Sequence, residues 1–228
     1  MFPLTIPRRH QFNPTLFMRI IVTCGPSYEP IDEVRRLTNF STGELGSLLA
    51  QQLAQTGHDV ICFQGLSATW PAPMAPVQTL RFTTNDDLLA QLRALPSPET
   101  VDAVFHTAAL CDYRVASITS EDSQPVTGAK IPSRSGPLHL ILLPATKLLG
   151  KLGSLFPRSR VIGWKYELEG ARAAAETKAY AQLTQNGSAA CVLNGKAYGP
   201  GFGWYAPGQT PIHCSDKPAL CQHIAHWL

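Results

Sequence analysis

A single doubly wound α/β domain on a mainly parallel sheet is the fold the sequence predicts, from three observations. Short β-branched and apolar runs alternate with segments of helical period along most of the chain. The 228 residues suffice for one α/β domain with a full core. The first strand and its helix are separated by Cys24 to Thr42, far longer than the usual βα turn of about 2–6 residues. Ser27, Glu29, Asp32, Arg35, Arg36, Thr38, Asn39, Ser41 and Thr42 crowd that linker. It lies where an open α/β sheet binds ligands, beyond the carboxyl ends of its strands.

The elements follow in order. Residues 1–17 hold three prolines and no periodicity and read as a disordered extension, with Met18 an alternative start and 18–228 the domain. Ile20 to Thr23 is β-branched and suits a buried parallel strand; Gly43 to Leu53 carries Leu45, Leu48, Leu49 and Leu53 at helical spacing. Gly57 stops that helix, His58 to Gln64 gives a second strand, and the proline-rich 65–78 is a loop. Thr79 to Thr83 is a short strand, Asn85 to Asp87 a helix start continued by Leu88 to Ala94, and Val101 to Thr107 a buried strand. The polar stretch from Ser117 to Gly136 reads as a long flexible excursion. Leu138 to Leu143 is a strand, Pro144 to Leu155 a helix, Arg160 to Tyr166 a strand, Ala171 to Gln185 a helix and Ala189 to Leu193 a strand. A glycine-rich loop, Lys196 to Pro211, precedes a last helix from Lys217 to Leu228. This is a Rossmann-like order, yet neither G-x-G-x-x-G nor G-x-x-x-x-G-K-[ST] occurs.

A net charge of +3, from 19 basic and 16 acidic residues, gives no reason to expect nucleic acid or a membrane surface as partner. No apolar run reaches the roughly 20 residues of a membrane span, and the first residues lack the core of a secretion signal, so a cytoplasmic protein is expected. The six cysteines form no CxxC pair, and Cys24, Cys62, Cys111 and Cys191 sit in or beside apolar runs, so they read as reduced core residues. The tail's His213, Cys214, Cys221, His223 and His226 fit no standard zinc spacing, and that segment reads better as an amphipathic helix. His106 reads as a buried, hydrogen-bonded histidine, and Arg35 and Arg36 can pair with Asp32 and Glu33.

Four stretches, CGPSYEPIDEVRRLTNFSTGELG, HTAALCDYR, GAKI and VIGWKYEL, taken in this order, resemble the motifs of phosphopantothenoylcysteine synthetase. The resemblance implies a ligase of coenzyme A biosynthesis. Such a ligase joins 4′-phosphopantothenate to cysteine through an acyl-nucleotide, with CTP or ATP as co-substrate and Mg²⁺. It further implies a homodimer, no FMN, and a decarboxylase, where one takes part, as a separate protein. On this resemblance Asn39, Lys130 and Arg35 are the catalytic residues. An amide suits a developing oxyanion, a lysine on a mobile loop the α-phosphate, and a guanidinium a phosphate or carboxylate. Ser41, Thr42 and Gly43, with Asn39, are expected to bind phosphopantothenate at a helix start. Gly25, Ser27, Ala108, Ala109, Asp112, Pro144, Thr146, Trp164 and Lys178, with Lys130, are expected at the nucleotide, Asp112 also as a Mg²⁺ ligand. The family's K-x-K-K is cut short by Pro132 and Ser133; Lys165 and Tyr166 replace two alanines and are expected to crowd the nucleotide. Ala145, Gln182 and Gly195 replace an aspartate, a lysine and an aspartate. A diverged binding protein without chemistry, or an NADPH-dependent oxidoreductase, are the competing readings.

Overall fold

A computed structural model describes residues 17–134 and 136–228; the expected extension, apart from Phe17, lies outside the described residues. The strands are β1 (Arg19–Cys24), β2 (Tyr28–Pro30), β3 (Arg36–Thr38), β4 (Asp59–Gly65), β5 (Gln78–Phe82), β6 (Ala103–His106), β7 (Tyr113–Ser120), β8 (Leu138–Pro144), β9 (Arg160–Tyr166), β10 (Ala190–Asn194), β11 (Phe202–Tyr205) and β12 (Ile212–Cys214). The helices are α1 (Glu44–Gln55), α2 (Asn85–Arg93), α3 (Leu149–Leu155), α4 (Arg172–Asn186) and α5 (Lys217–Trp227).

Eight strands form one sheet in the order β12-β11-β10-β9-β6-β1-β4-β5. From β10 to β5 all neighbours are parallel; β11 and β12 run antiparallel at one edge. Strand alternation explains the double winding. Ile20 and Val22 join Leu49, Leu53, Leu220 and Ile224 under α1 and α5, while Ile21 joins Phe63, Leu88, Leu92, Val104 and Leu152 under α2 and α3. Helix α4 covers Cys191 and Leu193 of β10. All six cysteines are free and buried. Among the described residues no helix is long and apolar enough to cross a membrane.

Three expectations are corrected. The stretch from Ser117 to Gly136 is not one unstructured excursion, because its start belongs to β7, which pairs antiparallel with β8 in a separate two-stranded ribbon. Leu138 to Leu143 is therefore a strand outside the core sheet, and Ile141, Leu142 and Leu143 are exposed. The segment after it turns helical only at Leu149, since Pro144 is still paired with Tyr113 and the Ala145 N–H donates to the Asp112 carbonyl. The glycine-rich loop contains β11, whose Phe202, Trp204 and Tyr205 are buried on both faces. The polar linker after β1 also holds a small hairpin, β2 with β3.

Candidate active site

The parallel order reverses between β1 and β6, and the chain beyond these two strands forms the site. Their pairing continues past the sheet. Thr107 N–H donates to Thr23 O at 3.0 Å, Ala109 N–H to Gly25 O at 3.0 Å, and Ser27 N–H to Ala109 O at 3.3 Å. Gly25 and Gly43 both have positive φ, +75° and +83°, and a methyl on Gly43 would sit 3.1 Å from Ala68 Cβ and 3.3 Å from Gly25 Cα. Only glycine lets the end of β1 and the start of α1 touch in this way.

Asn39 then folds the linker back. Its Nδ2 donates to Ala109 O at 3.2 Å and Leu110 O at 3.0 Å. Two carbonyl acceptors fix the amide's orientation and use both N–H groups, so Oδ1 is the atom left for a ligand. Below the linker opens a cavity of about 1350 Å³. Its wall includes Gly25, Asn39, Ser41, Thr42, Gly43, Ala108, Ala109, Asp112, Thr146, Trp164 and Lys178, eleven of the residues expected from sequence. The start of α1 faces it. Thr42 Oγ1 accepts from Glu44 N–H at 3.2 Å, and Gly43 has no side chain to cap the free N–H groups of the first turn. Glu44 itself is ion-paired to Lys217, which keeps the helix start electropositive.

Four expected residues lie off this wall. Ser27 is fully buried, donating to Asn85 Oδ1 at 2.7 Å and accepting from Cys111 N–H at 2.8 Å. Pro144 is held in the ribbon. Arg35 is spent on Asp32, at 2.5 Å, and on Ile131 O, at 2.6 Å. That guanidinium holds the Asp32 carboxyl well below its usual range, aided by the Ile131 N–H at 3.1 Å. With Glu33 N–H on Ala129 O, this clamp fastens the loop around exposed Lys130 to the β2–β3 turn, outside the cavity.

Sequence reasoning missed other residues. Asn85 looked like a helix start only. It is buried, and its Nδ2 donates to Cys111 O at 2.8 Å and Thr146 O at 3.1 Å while its Oδ1 accepts from Ser27, so one side chain ties three loops of the site. Lys147, Lys165 and Lys217 join Lys178 in the wall. Each is carboxylate-bound: Lys147 to Asp112, Lys165 and Lys178 to Glu167, Lys217 to Glu44. Asp112 is largely exposed and has no second carboxylate beside it; among the described residues no group of three His, Cys, Asp or Glu side chains fits a metal ion. The donor set therefore does not suit a protein-held Mg²⁺. Among the described residues the tail's cysteines and histidines form no such group, and His213 is bonded to Tyr198 OH at 2.8 Å.

His106, at the cavity floor, bonds Thr23 Oγ1 through Nδ1 at 2.8 Å, and burial pushes its pKa down to about 4. An unfolded chain protonates this histidine near pH 6.5, so between pH 6.5 and 4 the unfolded state binds the extra proton. Stability is full above pH 6.5 and is expected to fall by roughly 3 kcal/mol on acidification to pH 4, from the two to three pK units involved. Urea midpoints measured across this range check it, and a His106→Gln variant should show a flatter profile; an unchanged slope counts against the buried neutral histidine.

Residues 17–204 match the family described as DNA/pantothenate metabolism flavoprotein C-terminal domain. The chain belongs to that family. Its resemblance to phosphopantothenoylcysteine synthetases, read from the motifs, holds. It is 27% identical over 183 residues to the coenzyme A biosynthesis bifunctional protein CoaBC of Thermococcus kodakarensis, covering 79% of this chain and 42% of the relative. It is 29% identical over 189 residues to a cysteine/cysteine sulfinic acid decarboxylase of an unknown prokaryotic organism, covering 81% of this chain and 48% of the relative. The chain thus spans about half the length, or less, of these curated relatives. Among solved structures, the DNA/pantothenate metabolism flavoprotein of Streptococcus pneumoniae superposes with a TM-score of 0.80 at 22% identity, covering 92% of this chain and 97% of that one. The C-terminal domain of CoaBC gives 0.72 at 24%, covering 92% and 93%. At these identities the likeness shows the fold.

Proposed function

We propose that this domain is a ligase that joins 4′-phosphopantothenate to cysteine, using CTP or ATP. The observation that carries the reading is the fold-back of the linker through Asn39 onto Ala109 and Leu110, which roofs a cavity between the start of α1 and the end of β6. The first turn of α1 and the Ser41–Gly43 segment bind the phosphate of phosphopantothenate. Ala108 and Ala109, with no bulk beyond Cβ, let a nucleotide lie against the backbone, and Trp164 offers a face to its base. The substrate carboxylate attacks the α-phosphorus and pyrophosphate leaves; the cysteine amine then attacks the acyl carbon, forming the amide and releasing the nucleoside monophosphate.

Asn39 serves this reaction by fixing the linker, with Oδ1 turned to the ligand. That replaces the donor role expected from sequence, because both of its N–H groups are engaged. The catalytic roles expected of Arg35 and Lys130 are not carried into this reading, since neither lines the cavity. A divalent cation enters with the nucleotide's phosphates rather than as a resident of the chain. We assign the exposed apolar side chains of Phe40, Tyr113, Ile141, Leu142 and Leu143 to a homodimer surface.

Pyrophosphate release should require phosphopantothenate and nucleotide together, and Asn39→Ala should lower the rate about a hundredfold, the scale of a substrate misplaced by about an ångström when the linker loosens. Release in the absence of phosphopantothenate would count against the ligase. The carboxylate engagement of every cavity lysine favours a second reading, a homologue that binds without turnover. Calorimetric binding of both substrates with no product formed would establish it.

A further inference from the structure

We propose that Lys165, together with Lys178, grips the polyphosphate chain of a nucleoside triphosphate in this cavity; the nucleoside rests on the ligase reading, the anion grip does not. Strand alternation sends Trp164 to the core beneath α1 and α5, and Lys165 to the side covered by α4. There the two lysines share one carboxylate. Glu167 Oε1 is 3.3 Å from Lys165 Nζ, and Oε2 is 2.5 Å from Lys178 Nζ. The Glu167 side chain is 12% exposed. Its backbone is fixed on both sides, with N–H on Asn194 O at 2.9 Å and C=O accepting from Ala197 N–H at 3.0 Å. A methyl on Gly195 would overlap that carbonyl, so the post cannot shift without unpacking the turn. Lys178, and after it Lys165, holds the Glu167 carboxyl below its ordinary range, so it is anionic near neutrality.

Two ammonium groups and one carboxylate leave a surplus charge of +1. They also leave most of the six ammonium N–H donors without a partner in the post. The lysines stand on opposite oxygens of Glu167, which suits two linked phosphate groups better than one carboxylate. Gln182, whose Nε2 donates to Trp164 O at 3.4 Å and Cys191 Sγ at 3.3 Å, adds no charge. Lys165 therefore does not obstruct the site, as its bulk suggests from sequence alone. It supplies positive charge that the shortened basic loop at Lys130 lacks.

The test is calorimetric titration of the whole chain with inorganic tripolyphosphate, CTP and CMP, with ATP and AMP in parallel. Lys165→Met should weaken tripolyphosphate and the triphosphates about ten- to a hundredfold, the size of one lost charge-assisted hydrogen bond, and leave CMP and AMP within about twofold. Glu167→Gln should tighten the triphosphates, an opposite sign that a general loss of folding cannot produce. Equal weakening of mono- and triphosphates, unchanged affinity in Lys165→Met, or wild type that binds neither tripolyphosphate nor a triphosphate overturns the proposal. Grip without any product formation sinks the ligase reading alone; product formation with Lys165→Met at wild-type affinity sinks this proposal alone.

Discussion

Gly46→Ala is expected to destabilise the protein by about 2–3 kcal/mol, the scale of an overpacked core position, and to abolish binding at the start of α1. By propensity alone the change should stabilise, because alanine in a helix interior is favoured over glycine by about 1 kcal/mol. Packing reverses the sign. A methyl on Gly46 would overlap Cβ of Cys24 and Oγ1 of Thr107, at the carboxyl ends of β1 and β6. Neither neighbour can yield freely. Cys24 is fully buried with its Sγ 3.7 Å from Cys62 Sγ, and Thr107 Oγ1 donates to Thr23 O at 2.8 Å. The helix must back away from the strands, and its first-turn N–H groups leave the cavity with it. Thermal melts with phosphate-ligand titration decide the matter: a stabilised variant would mean that α1 does not lie this close to the sheet.

Asn85→Ala carries the second large effect. The side chain makes three hydrogen bonds, buried ones to Ser27 Oγ and Cys111 O and a partly buried one to Thr146 O, and its loss leaves a hydroxyl and two carbonyls short of a partner at once. At about 1–3 kcal/mol for a buried group left unpaired, with water able to fill part of the gap, a loss of about 3 kcal/mol is expected. For a domain of this size that lowers Tm by roughly 6–12 °C. Substrate affinity should fall further than stability explains, since the loops bearing Ala109, Asp112 and Thr146 lose their common tie. A melt within 2 °C of wild type, a threshold set at about half a kcal/mol, would contradict this role.

These two residues also mark where the sequence was readable and where it was not. The Ile20–Thr23 run and the leucines of α1 announce their elements through local composition and period, and both lie where expected. The run LHLILL announces a strand equally well, yet burial is a property of what packs on it, and β8 pairs with β7 alone, outside the core sheet. Asn85 carries no local signal for its role, as its partners lie 26 to 61 residues away. The long motif marked Asn39 and the Ser41–Gly43 start of α1, because those positions are continuous in sequence. The pairing of Arg35 with Asp32, three residues away, was legible as a local ion pair, but the motif could not show that Ile131, far along the chain, would complete the clamp. Nor could it show Lys165 as part of a charge array, since the carboxylate between the two lysines defines that array only after β9 and α4 meet.

All four cavity lysines already face a carboxylate. Three carboxylates against four ammonium groups leave a surplus of only one positive charge, so the empty site exerts a weak long-range pull on passing polyanions. An anion gains its foothold at close range, on the ammonium N–H donors the carboxylates leave open or in exchange for a carboxylate, which rewards a ligand whose shape brings several oxygens to bear together. Selection then resides in that close fit, after contact, and not in the approach.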